Sequence, residues 1–137
     1  MINQEAPGQF IKHYSPNIET FLFDFFSENE KQENDLFFKL EDLSNCVLLD
    51  FKETIKSKFK FPEKTFLKIF DFSIEGNENE VMHNIYSFLR DAENEKNAKF
   101  ILICDLNKYM NDENNPNKPT LVDRINKASS SRRILYK

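Results

Sequence analysis

The chain has 137 residues, 39% of them hydrophobic, with a net charge of −4 and a mean hydropathy of −0.63. That length suits one domain with a real core. No apolar run nears the roughly 20 residues of a membrane-spanning helix. Acids interspersed with lysines leave no basic stripe for direct nucleic-acid binding.

The first element in chain order is a polar arm, residues 1–17. Its opening, MINQEAPGQ, lacks the charged-then-apolar order of a secretory signal. The expectation is a cytoplasmic chain with no membrane partner. The arm ends in PGQFIKHYSP (7–16), where two prolines favour extended backbone. Ten extended residues reach about 30 Å.

Residues 18–137 read as a single α/β domain. TFLFDFF (20–26) is the first strand, an apolar run interrupted by Asp24. Ser27 and Glu30 have the spacing of a capping box, and Leu36, Phe37, Leu40 and Leu43 fit one face of a helix. CVLLDF (46–51) is the second strand, and KETIKSKF a short polar helix or turn closed by Pro62. TFLKIFDFS (65–73) is the third strand. Gly76 and Asn77 break it, and Asn77 with Glu80 repeats the capping pattern. The amphipathic helix that follows buries Val81, Met82, Ile85, Phe88, Leu89 and Ala92. KFILICDL (99–106) is the fourth strand, and NKYMNDENNPNK a polar loop. Pro119 suits the first turn of a last helix, with Leu121, Val122, Ile125 and Ala128 on its apolar face. RRILYK is read as a closing edge strand.

Strands alternating with helices predict a three-layer α/β sandwich with a mostly parallel sheet of four or five strands. In such folds ligands gather beyond the carboxyl ends of the strands.

No catalytic centre is legible. Two glycines in the whole chain leave no phosphate-cradling loop. Cys46 and Cys104 lie in apolar runs and read as reduced core thiols. His13 and His83 are too far apart to suggest a metal site. Asp50, Asp71 and Asp105 fall near the ends of three strands, either as an acidic cluster for Mg²⁺ or as caps of the turns that follow. Asp123 is placed in the first turn of the last helix, where the helix dipole favours an anion. Arg124 beside it could bind a phosphate or carboxylate bidentately. The pair is a possible ligand or domain contact, or a local ion pair.

Two stretches together carry a resemblance. Pro7, Gly8, His13, Tyr14 and Pro16 stand at the spacing of the interdomain linker of the long, two-domain L-threonylcarbamoyl-AMP synthases. NIYSFLRDAENEKNAKFILI and PTLVDRINKAS resemble that family's C-terminal part, with Leu89, Arg90, Asp123, Arg124 and Ala128 in register. Gln9, Ile11, Ser15 and Ser129 depart from its usual residues. The resemblance implies a Rossmann-like accessory domain (18–137) behind a linker (1–17) that passes over the active site of a YrdC-type catalytic domain. That domain condenses threonine, bicarbonate and ATP into threonylcarbamoyl-AMP, for the threonylcarbamoyladenosine modification of tRNA. Lys12, His13, Tyr14 and Pro16 are then the active-site lid. ATP and Mg²⁺ are expected for the full enzyme, with no cofactor, metal or catalytic residue in this chain. The YrdC-type domain is expected to be absent from this chain. The expected partner is therefore such a domain, in cis or in trans, and the chain alone is expected to be inactive. The alternative is a free-standing nucleotide sensor using Asp50, Asp105 and Arg124, or a protein-interaction module.

Overall fold

A computed structural model describes residues 15–58, 60–111 and 115–137. Lys12, His13 and Tyr14 lie outside them. Six strands form one sheet: β1 (Glu19–Phe25), β2 (Leu36–Phe38), β3 (Cys46–Asp50), β4 (Lys68–Asp71), β5 (Phe100–Cys104) and β6 (Arg133–Tyr136). Their order is β2-β6-β1-β5-β3-β4, and every neighbouring pair is parallel. The central strands are apolar without alternation because both faces of a parallel sheet are covered. Val47, Leu48, Leu49, Ile101, Leu102 and Ile103 are completely buried. So are the free thiols Cys46 and Cys104.

Four helices connect the strands: α1 (Thr54–Lys58), α2 (Glu78–Glu93), α3 (Leu106–Tyr109) and α4 (Lys118–Ser129). The crossover through α1 steps one way across the sheet, while those through α2 and α4 step the other way. The right-handed rule for parallel crossovers therefore puts α1 on one face and α2 with α4 on the other. α2 and α4 touch each other, and pack on β5 and β1 respectively. Phe88 of α2 stacks on Phe70 and Phe72, at 5.2 and 6.1 Å. On the opposite face Phe61 and Phe66 lie against Phe25 and Phe23 of β1. Asn77 caps α2, its side chain accepting the Glu80 N–H at 2.9 Å, and Pro119 sits in the first turn of α4. Both match the sequence reading.

Three expectations are corrected. The helix read from Leu36, Phe37, Leu40 and Leu43 does not form. Ser27 and Glu30 make a backbone turn, Leu36 and Phe37 enter β2, and residues Leu40–Asn45 form a 3-10 helix. The cause is Arg133, which takes both carboxylate oxygens of Asp35 at 2.8 and 2.6 Å and the Glu30 carbonyl at 2.9 Å. That grip draws the segment onto the sheet as a sixth strand. Nor is β6 an edge strand, because β2 pairs with its far side. The loop after β5 contains a helical turn, α3, which Asp105 caps by accepting the Asn107 N–H at 3.1 Å.

The Asp35–Arg133 pair makes stability depend on pH. Arg133 beside Asp35, against a smaller opposing effect of burial, holds the carboxyl below its ordinary value. The ionised form thus stabilises the fold above the unfolded-state pKa, and this is lost as pH falls through the lower folded value. Asp35→Asn should cost about 2–3 kcal/mol near neutral pH. In urea titrations that gap should shrink as pH falls below about 4.

Candidate functional site

β3 connects outward to β4, while β5 connects toward β6 on the other side. The point where direction reverses lies between their carboxyl ends, where α/β folds bind ligands. A cleft of about 550 Å³ opens there, lined by Phe51, Lys52, Glu75, Gly76, Asn77 and Tyr109 among others.

The strand-end acids do not converge on that cleft as a metal site. Asp50 is completely buried and accepts the backbone N–H of Phe51, Ile55 and Lys56 at 2.8–3.0 Å. Asp71 accepts those of Lys52, Glu53 and Ser73 at 2.8–3.2 Å. Asp105 caps α3. Burial, against the opposing backbone donors, raises the Asp50 and Asp105 carboxyls above their ordinary values. Among the described residues, no group of three or more His, Cys, Asp and Glu has metal-holding geometry. The caps force unusual backbone nearby: Lys52 and Glu53 have φ of 54° and 52°. Gly76 has φ of 80°, and a Cβ there would meet the Lys52 side chain at 2.9 Å.

The cleft's charges oppose a phosphate ligand. Lys52 lines it together with Glu75 and Glu78, and the first turn of α2 carries Glu78 and Glu80. The carboxylates there cancel what the helix dipole offers an anion. Neither thiol offers a nucleophile. Burial, with Asp42 adding, pushes Cys46 up to about 12, and burial drives Cys104 well above its ordinary value. The reactive form of cysteine is the thiolate.

Beside the cleft lies a polar cluster that sequence reading passed over. Asp24, buried in β1, accepts from Lys108 Nζ at 2.8 Å, from the Tyr109 hydroxyl and from the Phe25 N–H at 2.8 Å. Lys108 also reaches Glu30 at 2.6 Å. Burial works against the Lys108 ammonium, but its two carboxylates outweigh that and raise its pKa. Burial, then Asp24, pushes the Tyr109 phenol up. The one signal in the sequence was a charged residue inside a buried apolar strand, since such a group needs a partner.

The arm joins the domain at the other end of the sheet. Pro16 is half-buried, and the Asn17 N–H donates to Glu93 Oε1 at 2.9 Å, where α2 ends and β1 is about to begin. Parallel strands put all their amino ends on this edge, opposite the cleft.

The threonylcarbamoyl-AMP synthase C-terminal domain family matches residues 2–130. The chain belongs to this family. Searches of curated proteins and of solved structures each return no match. The matched span contains the arm motif and every element of the α/β domain except β6.

Asp123 and Arg124 do not pair with each other. Asp123 lies in the second turn of α4, beyond the strong end of the helix dipole, which corrects the first-turn placement. It is exposed and pairs with Lys127 at 3.1 Å. The half-buried Arg124 turns toward α2, with Nη1 2.7 Å from the Met82 sulfur and its guanidinium 5.6 Å from the Tyr86 ring centre.

Two measurements check this geometry. Calorimetry of the chain alone with ATP should show no binding tighter than about 1 mM. Lys108→Met should destabilise the fold by about 1–3 kcal/mol in urea unfolding, because Asp24 loses its cation while remaining buried.

Proposed function

We propose that this chain orders or gates the active site of a YrdC-type catalytic domain, joined in cis or in trans. Its service is to the formation of threonylcarbamoyl-AMP for tRNA threonylcarbamoyladenosine. Family membership supports the reaction. The observation that carries the accessory role is the arm's attachment at Asn17 and Glu93. Asn17 meets Glu93 at the amino edge of the sheet, the end opposite the domain's own cleft, and this supports service to something other than that cleft. The carboxylates at the strand ends are committed to backbone N–H groups.

In this reading Lys12 meets phosphate oxygens as a point charge. Tyr14 donates its hydroxyl to a phosphate or carboxylate. His13 donates or accepts near neutral pH, and Pro16 fixes the direction in which the arm departs. The catalytic domain would hold ATP and Mg²⁺. A nucleotide sensor is the weaker alternative, because its binding place would be the cleft where Glu75 and Glu78 oppose Lys52.

The test adds the chain to a YrdC-type catalytic domain with ATP, threonine and bicarbonate, and measures pyrophosphate release. The chain alone should be inactive, and the mixture faster than the catalytic domain alone. Tyr14→Phe should cut the stimulated rate about tenfold, the worth of one hydrogen bond to a charged group. Synthesis by the chain alone, or no effect on the catalytic domain, would overturn the reading.

A further inference from the structure

Among the described residues, the side of the sheet ending in β2 leaves apolar surface and backbone open together. β2 is the outermost strand beside β6. Leu36 is 50% exposed, Phe37 48% and Leu40 43%. The Phe38 carbonyl accepts the Lys137 N–H at 3.1 Å, so Phe38 directs its backbone groups inward to β6. Strand alternation then turns the Phe37 N–H and C=O outward. An open edge of this kind is a template for another strand.

We propose that β2 pairs with β2 of a second copy of this chain, antiparallel about Phe37. The strand is self-complementary in that register. Phe37 lies opposite Phe37 and exchanges both backbone hydrogen bonds with it, as a hydrogen-bonded antiparallel pair does. Leu36 lies opposite Phe38, and Lys39 opposite Asp35. Directly opposed side chains share one face. On that face, beside Phe37, the structure has a groove of about 350 Å³ lined by Lys31, Gln32, Glu33, Asp35 and Phe37. The second copy's Lys39 enters this groove with its stem along Phe37 and its ammonium toward Glu33 and Asp35. Asp35 is held by Arg133, whereas Glu33 and Lys39 have no ion-pair partner among the described residues. The two-fold axis makes this contact twice.

Three paired residues and two grooves make a small interface, and small interfaces associate weakly. The dimer should therefore appear only at high concentration. The test is sedimentation equilibrium of the full chain from about 10 µM to about 1 mM. The expected result is a reversible monomer–dimer equilibrium in that range. Lys39→Glu, which sets a carboxylate against Glu33 and Asp35, should weaken association at least about tenfold. Adding Glu33→Lys to Lys39→Glu should restore much of it, with the circular dichroism spectrum unchanged throughout. A chain monomeric at every concentration overturns the proposal, whatever else covers β2. So does a dimer that Lys39→Glu and Phe37→Asp leave intact, since its contact lies elsewhere.

Discussion

Two carboxylates, Asp50 and Asp71, fix the end of the sheet where this kind of fold would hold a ligand. Each accepts three backbone N–H groups. Between them they close the turn after β3, start α1 and bind that turn to the end of β4. A buried carboxyl left without donors costs far more than it returns, so the six N–H groups and the two acids require each other. The left-handed backbone of Lys52 and Glu53 is the conformation that lets the N–H groups converge. Acids that could have served a metal are thereby turned into structure. The cleft above them is left with Lys52 against Glu75 and Glu78.

The same logic organises the loop from Phe26 to Asp35. Lys108 holds Glu30 from one side, while anchored to Asp24. Arg133 holds Asp35 and the Glu30 carbonyl from another. These partners lie about 80 to 100 residues apart in sequence, at 78 and 98 positions, so the loop is placed only once β1, α3 and β6 have assembled. β2 follows from that placement, not from local preference. Three sides of the sheet then differ in character: an amino edge that receives the arm, a carboxyl edge committed to its own backbone, and the lateral edge at β2, opposite the one at β4. The proposed lid role rests on the first of these, where Asn17 meets Glu93 at the end of the sheet opposite the cleft.

Much of the fold was readable where burial is continuous or caps are local. CVLLD and FILIC announced central strands because a parallel sheet covers both faces. Asn77 and Pro119 marked helix starts through chemistry confined to one turn. The failures share a cause. Leu36, Phe37, Leu40 and Leu43 have helical spacing, and nothing nearby in sequence reveals that Arg133 will draw the first two onto the sheet. Asp24 was visible as an acid in an apolar strand, but Lys108 and Tyr109 belong to a stretch read as loop. Asp123 and Arg124 are adjacent in sequence, yet neighbours in a helix point about 100° apart, so one meets Lys127 and the other Met82. The arm was recognisable by its motif, and its point of attachment only by the Asn17–Glu93 contact.

The most direct test of the proposed lid compares the full chain with a form lacking residues 1–14, each added to a YrdC-type catalytic domain. Unfolding midpoints of the two forms should agree, while the shortened form should no longer stimulate threonylcarbamoyl-AMP formation. Undiminished stimulation by the shortened form would contradict the account, because the effect would then arise from the α/β domain and not from the strap that precedes it.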